Sequence, residues 1–416
     1  MAAEKKPAVA TELAGYTSTS EALPYAISPK RLLWNDFWTL LENATYLPGI
    51  IFPVWAGRHE PLNELSSTWC NARSLAFHFI LIVFQLGFIC SIPLFLFLPT
   101  TTSLAYILSF IALNELAVRS FNGPKDKEFV KIPNGGIPIA PGTETERWVF
   151  VNGVAVGDHW LQNNLQRLAN TFRRRIIGVH NPTLGIIFDV VQCLIERDFN
   201  YTVPDIRQGF AYVKQQLMQD DEVVSKVILI LHSQGGIEGG MIVDWLLADM
   251  PQQKLAKLEI YTFGNAANHF NNPMAKDGKH FLAGRNYFRS IGHIEHYANV
   301  GDFVARFGVL NFTTKDKQLG SNDDDEKSEN RFVGTVFKRY GTGHMLNQHY
   351  LENMFTMKGN EVLESNPFMD SPVVVDEEYL NNNPKHRERL QNGGELTVKS
   401  MSRLWLYRNG GTPKEY

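Results

Sequence analysis

Residues 223–244 read VVSKVILILHSQGGIEGGMIVD, and this stretch decides how the rest of the chain is interpreted. An apolar run, Val227 to Leu231, is followed by the polar and glycine-rich segment HSQGG and then by an apolar, helix-compatible segment. A short β-branched run bounded by glycines predicts a buried parallel strand. Ser233 then lies at an abrupt strand-to-helix turn, which exposes its hydroxyl above the sheet edge and leaves the next backbone N–H free.

Strand and helix patterns alternate between residues 147 and 302. The predicted strands beside the elbow strand are Arg147–Val154, Ile176–Val179, Leu258–Phe263 and His296–Val300. The predicted helices are Asp158–Phe172, Pro204–Met218 and a segment that ends near Asp249. This alternation predicts an α/β fold with a doubly wound, mostly parallel sheet. Ligands of such sheets bind at the carboxyl ends of the strands, where Gly153, Ser233, Asn265 and Asp302 would fall.

The strand-HSQGG-helix context resembles the nucleophile elbow of the α/β-hydrolase superfamily, on its lipase and esterase side. The usual pattern is G-x-S-x-G; Gly235 matches its last glycine and makes room where strand and helix pass closely. Leu231 stands where the first glycine is expected. The resemblance covers about residues 147–356 and implies the α/β-hydrolase fold, with Ser233 as nucleophile and partners in the chain order Ser, acid, His.

Asp302 is the acid that this resemblance implies. A serine hydroxyl needs a base to take its proton, and a carboxylate holds that base in the correct tautomer. Asp302 lies in NVGDFVARFG, directly after a predicted strand, and the segment resembles the N-x-x-D-P-V-x-R turn of many lipases with Phe303 in place of proline. An Asp after a strand is also a common helix N-cap, and this alternative stays open.

His344, in GTGHMLNQHYL, is the predicted base, because the glycines before it leave the backbone free to place its ring over the elbow. Three other histidines compete with it. His293 and His296 precede Asp302 and break the family order, whereas His349 lies further along a predicted helix and would point elsewhere.

An oxyanion hole needs two donors aimed at the developing charge. The backbone N–H of Gln234 is one, and the resemblance implies a second from the loop Asn152-Gly153-Val154. We expect the N–H of Val154, with that of Gly153 as the alternative, and expect His232 to shape the elbow. The apolar part of loop 182–201 fits a lid, an acyl-pocket wall or a core helix equally well.

Leu75 to Leu98 carries no formal charge. As a helix it would be roughly 36 Å long at about 1.5 Å per residue, enough for a hydrocarbon core of about 30 Å. A second apolar stretch, Leu104 to Val118, follows a break at residues 99–103. The alternative is a pair of buried core helices, but a self-sufficient catalytic domain offers them no evident core. We therefore expect a membrane hairpin and a catalytic domain that folds without residues 70–120.

Basic residues flank both ends of the hairpin, at positions 58, 73, 119, 125, 127 and 131. The positive-inside rule then places both ends in the cytosol, so the hairpin either crosses twice or dips into one leaflet. The endoplasmic reticulum and the lipid-droplet surface would fit such a chain. Upstream, an aromatic cluster from Leu33 to Leu41 at helical spacing predicts either a small packed helix or a membrane-surface helix.

These patterns divide the chain into five parts. We expect a mobile tail with an aromatic segment (1–70), a membrane hairpin (71–120), a linker (121–144), the hydrolase domain (145–360) and a loop-rich extension on its surface (361–416). The segment 314–330 is predicted to be a charged, solvated insertion.

Composition narrows the function. A net charge of −3 and the lack of a basic helix argue against nucleic acid as a partner. Cys70, Cys90 and Cys193 are widely spaced, so neither a disulfide framework nor a zinc site is suggested. We expect no cofactor and no metal, and the oligomeric state stays open. The sequence thus favours a membrane-associated serine hydrolase that cleaves carboxylic esters through an acyl-enzyme. The preference for lipid esters rests on the hairpin alone. An acyltransferase with the same triad and an inactive, membrane-tethered interaction module are the alternatives.

Overall fold

The fold is taken from a computed structural model of the chain. It describes residues 8–13, 28–52, 60–123, 130–131, 133, 136, 139–275, 280–282, 285–287, 289–313, 331–375, 377–382 and 384–413. The predicted insertion 314–330 lies outside these residues, as do residues 1–7, 14–27 and 53–59 of the predicted tail and aromatic segment and parts of the predicted linker.

The described residues contain strands and helices along most of their length. The strands are β1 (Ala8–Leu13), β2 (Val130–Lys131), β3 (Glu146–Val151), β4 (Ile176–Val179), β5 (Lys226–His232), β6 (Leu258–Phe263), β7 (His280–Leu282), β8 (Arg285–Tyr287), β9 (His293–Gly301), β10 (Gly334–Thr342), β11 (Met357–Lys358), β12 (Glu361–Val362) and β13 (Val373–Val374). The α-helices are α1 (Pro29–Glu42), α2 (Trp69–Ser91), α3 (Thr100–Asn122), α4 (Asp158–Phe172), α5 (Ile186–Phe199), α6 (Pro204–Met218), α7 (Gly235–Asp249), α8 (Gln252–Leu255), α9 (Phe303–Phe307), α10 (Glu352–Met354), α11 (Glu377–Asn382), α12 (Pro384–Gln391) and α13 (Val398–Met401). A π-helix spans Leu346–Leu351, and 3-10 helices span Ala44–Ile50, Ile92–Leu96 and Leu404–Gly410.

The central sheet has the strand order β13-β1-β10-β9-β6-β5-β3-β4-β2. Six neighbouring strands in it, β10-β9-β6-β5-β3-β4, are all parallel. The expected parallel sheet is confirmed, and α4, α6, β4 and β6 have the predicted bounds. Because the strands are parallel, the loops after β3, β5, β9 and β10 all emerge at one edge of the sheet.

The sheet separates two apolar cores. Side chains alternate along β5, so Ile228 and Ile230 enter one core, whereas Val227, Leu229 and Leu231 enter the other. Helix α4 packs in the first core and helices α6 and α7 in the second, so both faces are covered. This double burial is why β5 reads as a continuous apolar run.

Both ends of the chain differ from expectation. Residues 8–13, predicted to be part of a mobile tail, form β1, which pairs with β10 and β13 in the central sheet. The C-terminal extension was expected on the surface, but Leu404, Trp405 and Tyr407 are buried in the first core. These pairings join distant parts of the chain, and so leave no local sequence pattern.

Two helical segments are long and apolar enough to cross a membrane: Trp69–Leu96, with a mean hydropathy of 2.5, and Thr100–Asn122, with a mean hydropathy of 1.4. Only 11% and 17% of the respective apolar windows are buried, so these helices are not enclosed in a core. The second segment is longer than the predicted Leu104 to Val118 because α3 begins directly after Pro99. The paired apolar helices expected from the sequence are therefore present, with most of their surface exposed.

Candidate active site

The predicted nucleophile sits at the carboxyl edge of the sheet. Ser233 follows β5 directly and has a φ of 60°, an uncommon backbone conformation for a residue with a side chain. Its N–H donates to the Phe263 carbonyl at 3.1 Å, and its carbonyl accepts from the N–H groups of Gly236 and Ala266 at 2.9 and 3.2 Å. These bonds hold the strained turn between β5 and α7. The sequence predicted an exposed hydroxyl, but neighbouring loops almost enclose this residue, and only 2% of it is exposed.

Asp302 and His344 lie side by side although 42 positions separate them in sequence. Asp302 follows β9, His344 follows β10, and the His344 Nδ1 lies 2.9 Å from the Asp302 Oδ2. The same Oδ2 accepts from the Tyr350 hydroxyl at 2.6 Å, and Oδ1 accepts from the Val304 N–H at 2.8 Å. Both oxygens of the Asp302 carboxylate therefore have hydrogen-bond partners in the protein.

The imidazole of His344 is placed next to the elbow by His232. The two rings stack with their centroids 4.7 Å apart, and the His232 Nε2 donates to the backbone carbonyl of His344 at 2.8 Å. Burial lowers the pKa of His232 to about 3, so this ring is a neutral donor at physiological pH. The His344 Nε2 is buried and has no hydrogen-bond partner among the described residues. No hydrogen bond joins it to the Ser233 hydroxyl in that part of the chain; such contacts are often loose without substrate.

The loop after β3 presses against the nucleophile. A Cβ on Gly153 would lie only 2.3 Å from the Ser233 Cβ, so glycine is required for this approach. The side chain of Asn152 fixes the loop through hydrogen bonds to the carbonyls of Gly153 and Asn181 at 3.0 and 2.8 Å. Within the described residues, the backbone N–H groups of Val154 and Gln234 donate to no protein acceptor. Both remain available as the predicted oxyanion donors.

Gly235 has the steric role that the sequence predicts. A Cβ on this residue would lie 2.5 Å from the carbonyl oxygen of Val151, at the end of the neighbouring strand β3. The close approach of α7 to β3 is thus open only to glycine.

The competing histidines are bound elsewhere. The His296 Nδ1 lies 2.8 Å from the Thr262 hydroxyl, and the His293 Nε2 lies 2.7 Å from the Glu295 carboxylate. The His349 Nδ1 accepts from the Met345 N–H at 3.0 Å, within the turn of π-helix that follows His344. Of the four histidines considered, only His344 contacts Asp302 by a hydrogen bond among the described residues.

Helix α5 supplies two carboxylates that the sequence reading missed. The Asp189 Oδ2 accepts from the N–H of Ala155, next to Val154, at 2.9 Å, and the Glu196 Oε2 accepts from the Gln234 Nε2 at 2.9 Å. Burial raises the pKa of Asp189 to about 6 and that of Glu196 to about 7. The two acids are seven positions apart, with a mostly apolar stretch between them, and this spacing on one helix face was the available signal.

Tyr350 was also missed, since a tyrosine six positions after a candidate base carries no pattern of its own. Its role depends on the π-helix turn, which brings the hydroxyl to within 2.6 Å of the Asp302 Oδ2.

The hairpin is joined to this site. The His78 Nε2, on α2, donates to the Ala155 carbonyl at 2.9 Å, and the Gln85 Nε2 donates to the Leu184 carbonyl at 2.7 Å. Asn71, at the start of the same helix, accepts from the Trp160 Nε1 at 3.0 Å. Removing residues 70–120, which the sequence suggested would leave an intact domain, would take these partners away from the loop after β3 and its neighbours.

The described residues contain no group of three or more His, Cys, Asp or Glu side chains arranged to hold a metal ion.

Comparison of the chain with protein-family models, with curated proteins and with solved structures gave no match.

Proposed function

We propose that this chain is a membrane-associated serine hydrolase of the α/β-hydrolase type, which cleaves carboxylic esters of lipids through an acyl-enzyme. One observation carries the proposal. Ser233 lies in a strained strand-to-helix turn, and the hydrogen-bonded pair of Asp302 and His344 lies at the same sheet edge, stacked on the residue before the serine.

In the proposed reaction the Ser233 Oγ attacks the ester carbonyl while the His344 Nε2 takes its proton. Asp302 keeps the Nδ1–H of His344 in place and stabilises the imidazolium. The N–H groups of Gln234 and Val154 donate to the oxyanion. His344 then protonates the leaving alcohol, and a water molecule, activated by the same imidazole, releases the acid and restores the serine.

The lipid part of the proposal rests on α2 and α3. Their apolar surfaces are mostly exposed, and apolar area left in water is unfavourable by about 25 cal/mol per Å². A bilayer removes this cost and also concentrates water-insoluble esters near the site. The basic residues on both sides of the hairpin favour a catalytic domain on the cytosolic side.

Ser233→Ala provides the direct test. We expect turnover of a p-nitrophenyl ester to fall at least about a thousandfold, since the hydroxyl forms the covalent bond, and labelling by a fluorophosphonate probe to disappear. Ser290→Ala is the matched control, because Ser290 is also buried and its hydroxyl has no partner among the described residues. It should keep both activity and labelling.

Retention of most activity in Ser233→Ala would refute the serine mechanism. If wild-type protein is neither labelled nor active on any ester, the interaction module becomes the better reading. Transfer of the acyl group to an added alcohol at the expense of free acid would instead identify an acyltransferase.

A further inference from the structure

Helix α1 buries polar side chains and exposes large apolar ones. Its exposed side chains include Trp34, Phe37, Trp38 and Leu41, which share one helix face. Its buried side chains are Asp36 and Thr39. Asp36 is held at 2.7 Å by the buried guanidinium of Arg197 on α5. A helix on a water-soluble surface shows the opposite arrangement, with its apolar stripe towards the protein.

The first hairpin helix repeats this inversion. The buried residues of α2 are Asn71, Ser74, His78, Leu81 and Gln85, so four of these five are polar. Its exposed residues include Phe79, Ile80 and Val83. Hydrogen bonds from Asn71, His78 and Gln85 to backbone carbonyls tie the polar stripe to the protein, and apolar side chains are left on the outside.

Helix α5 connects the two inverted helices. The hairpin contacts its start, where Gln85 donates to the Leu184 carbonyl and Phe110 packs edge-on against Phe188 at 5.9 Å. Helix α1 contacts its other end through Asp36 and Arg197. Between these contacts α5 exposes Val191, Ile195 and Phe199, spaced four residues apart and so on one face. The three elements thus form one apolar surface, which we call the α1–α5–hairpin surface.

The inner side of this surface supports the catalytic centre. Glu196 of α5 binds the side chain of Gln234, the residue after the nucleophile, and Asp189 of α5 binds the N–H of Ala155 in the loop after β3. Helix α5 therefore has an apolar outer face. Carboxylates on its inner face accept hydrogen bonds from the residue after Ser233 and from the loop after β3.

The depth of the hairpin follows from its last hydrogen bond to the domain among the described residues. Gln85 bonds to Asn114 of α3 and to the Leu184 carbonyl, so the hairpin is tied to the domain at this level. Beyond it lie residues 86–91 of α2 and the 3-10 segment Ile92–Leu96. At about 1.5 Å per α-helical and about 2.0 Å per 3-10 residue, this tip is about 20 Å long, shorter than a hydrocarbon core of about 30 Å.

We propose that the α1–α5–hairpin surface lies against one leaflet of a phospholipid bilayer, that the hairpin tip enters this leaflet without crossing the membrane, and that lipid esters reach Ser233 directly from it. This inference rests on the proposed function and deepens it by naming the partner and the route of the substrate. A bilayer fits better than a protein partner because the outer faces are apolar over three separate elements. Exposed Lys30, Arg31 and Arg73 at the ends of these helices match anionic headgroups, and Trp34 and Trp38 suit the interface.

The location of the surface is tested without catalysis. Full-length Ser233→Ala protein, with its three native cysteines changed to alanine, receives a single cysteine at Val191 or at Val223 and an environment-sensitive fluorophore. Both sites are similarly exposed, 45% and 52%, but Val223 lies in the turn before β5, at the opposite edge of the sheet. In phosphatidylcholine vesicles, brominated lipids should quench the probe at 191 and not at 223. Equal quenching at the two positions would overturn the proposed orientation.

The depth is tested at Leu96, the most exposed apolar residue of the tip. A cysteine there, in the same background, should stay unreactive towards a membrane-impermeant maleimide added outside or trapped inside the vesicles. Reaction with the trapped reagent would show that the hairpin crosses, and reaction with the outer reagent would show that the tip lies in water; either result overturns the insertion.

The substrate route is tested by a ratio of rates on wild-type background. Hydrolysis of dioleoylglycerol in vesicles is divided by hydrolysis of soluble p-nitrophenyl acetate. Val191→Glu should lower this ratio at least tenfold, whereas Val223→Glu should keep it within twofold. An unchanged ratio in Val191→Glu would refute direct entry from the bilayer. Lack of activity on both esters would refute the proposed function instead, and leave the quenching result to decide the orientation.

Discussion

Ser233 is the residue at which the backbone departs most clearly from ordinary geometry within the elbow. A positive φ in a residue with a Cβ persists only where surrounding bonds over-determine it, and such strain clusters at functional sites. Three backbone hydrogen bonds to β6, α7 and the loop after β6 supply that constraint. A strained turn held in this way is typical of functional sites, and this supports Ser233 as the proposed nucleophile.

Asp302 caps a helix and also contacts the predicted base, so its geometry fits both possibilities that its sequence context suggested. Its Oδ1 caps the short helix α9 by accepting from the Val304 N–H, while its Oδ2 accepts from Tyr350 and lies against the His344 Nδ1. The cap and the acid are not alternatives, because a carboxylate has two oxygens. In the proposed triad Tyr350 would act as a positioning residue, since its hydroxyl donates to the oxygen that faces the imidazole.

The triad should behave as one unit at the residue scale. We expect Ser233→Ala combined with His344→Ala to be little less active than either single variant, because removing one member already abolishes the step that the others serve. His349→Ala is the comparison, since its ring bonds only within its own turn among the described residues. Esterase rates of the four proteins provide the measurement. Full activity in His344→Ala, with loss in His349→Ala, would reassign the base.

At the scale of elements, the departure of Leu231 from the elbow pattern has a structural explanation. Leu231 is fully buried, and its Cδ1 would lie 2.2 Å from a Cβ on Gly239 in α7. In the usual pattern, a glycine near the end of the strand leaves room for the helix. Here Gly239 in α7 leaves room for the Leu231 side chain of β5 instead. The substitution therefore leaves the elbow intact.

A double-mutant cycle tests this compensation. Gly239→Ala should destabilise the protein by about 1–3 kcal/mol through overpacking, and Leu231→Ala by about 2–5 kcal/mol through a cavity. The double variant should be more stable than the sum of the two effects predicts, because the new methyl fills part of that cavity. Gly240→Ala is the control on the same helix. Its Cβ would have no neighbour closer than 3.6 Å, so it should be neutral or slightly stabilising. Additive effects in denaturant unfolding would contradict the compensation.

At the scale of the whole molecule, buried titratable groups predict how stability depends on pH. Burial raises the pKa of Glu196 to about 7 and that of Glu238 well above its usual range. These groups stabilise the fold below about pH 4.5, and their contribution is lost as pH rises through the folded pKa. Burial lowers the pKa of His232 to about 3 and that of His296 to about 4. Their contribution is present above about pH 6.5 and is lost as pH falls towards the folded values.

The two effects oppose each other between about pH 4.5 and 6.5, so we expect the thermal midpoint to be highest there and to fall on both sides. For Glu196 alone the alkaline loss is about 3 kcal/mol. Glu238→Gln should flatten the alkaline limb, because both Glu238 oxygens are buried without partners among the described residues. Exposed Glu222→Gln should not change it. A midpoint that rises steadily from pH 6 to 9 would contradict the assignment.

The sequence by itself determined the parallel sheet, because strands buried on both faces and amphipathic helices leave strong local patterns. It also indicated the paired apolar helices and the turn at Ser233, since both are contiguous stretches. Asp302 and His344 could be predicted only from the order Ser, acid, His along the chain and from their positions relative to strands and glycines. Their roles, like that of Ser233, stay predictions.

Only the tertiary structure decided which distant residues meet. The pairing of β1 with β10, the burial of Trp405, the contact of Tyr350 with Asp302 and the space between Leu231 and Gly239 all join segments that local periodicity treats separately. The same holds for α2: its composition indicates a hydrocarbon environment, but only its packing shows that a polar stripe faces the loop after β3. The physical reason is that hydrophobic periodicity records which face of an element is buried, whereas the identity of the neighbour on that face depends on how the whole chain packs.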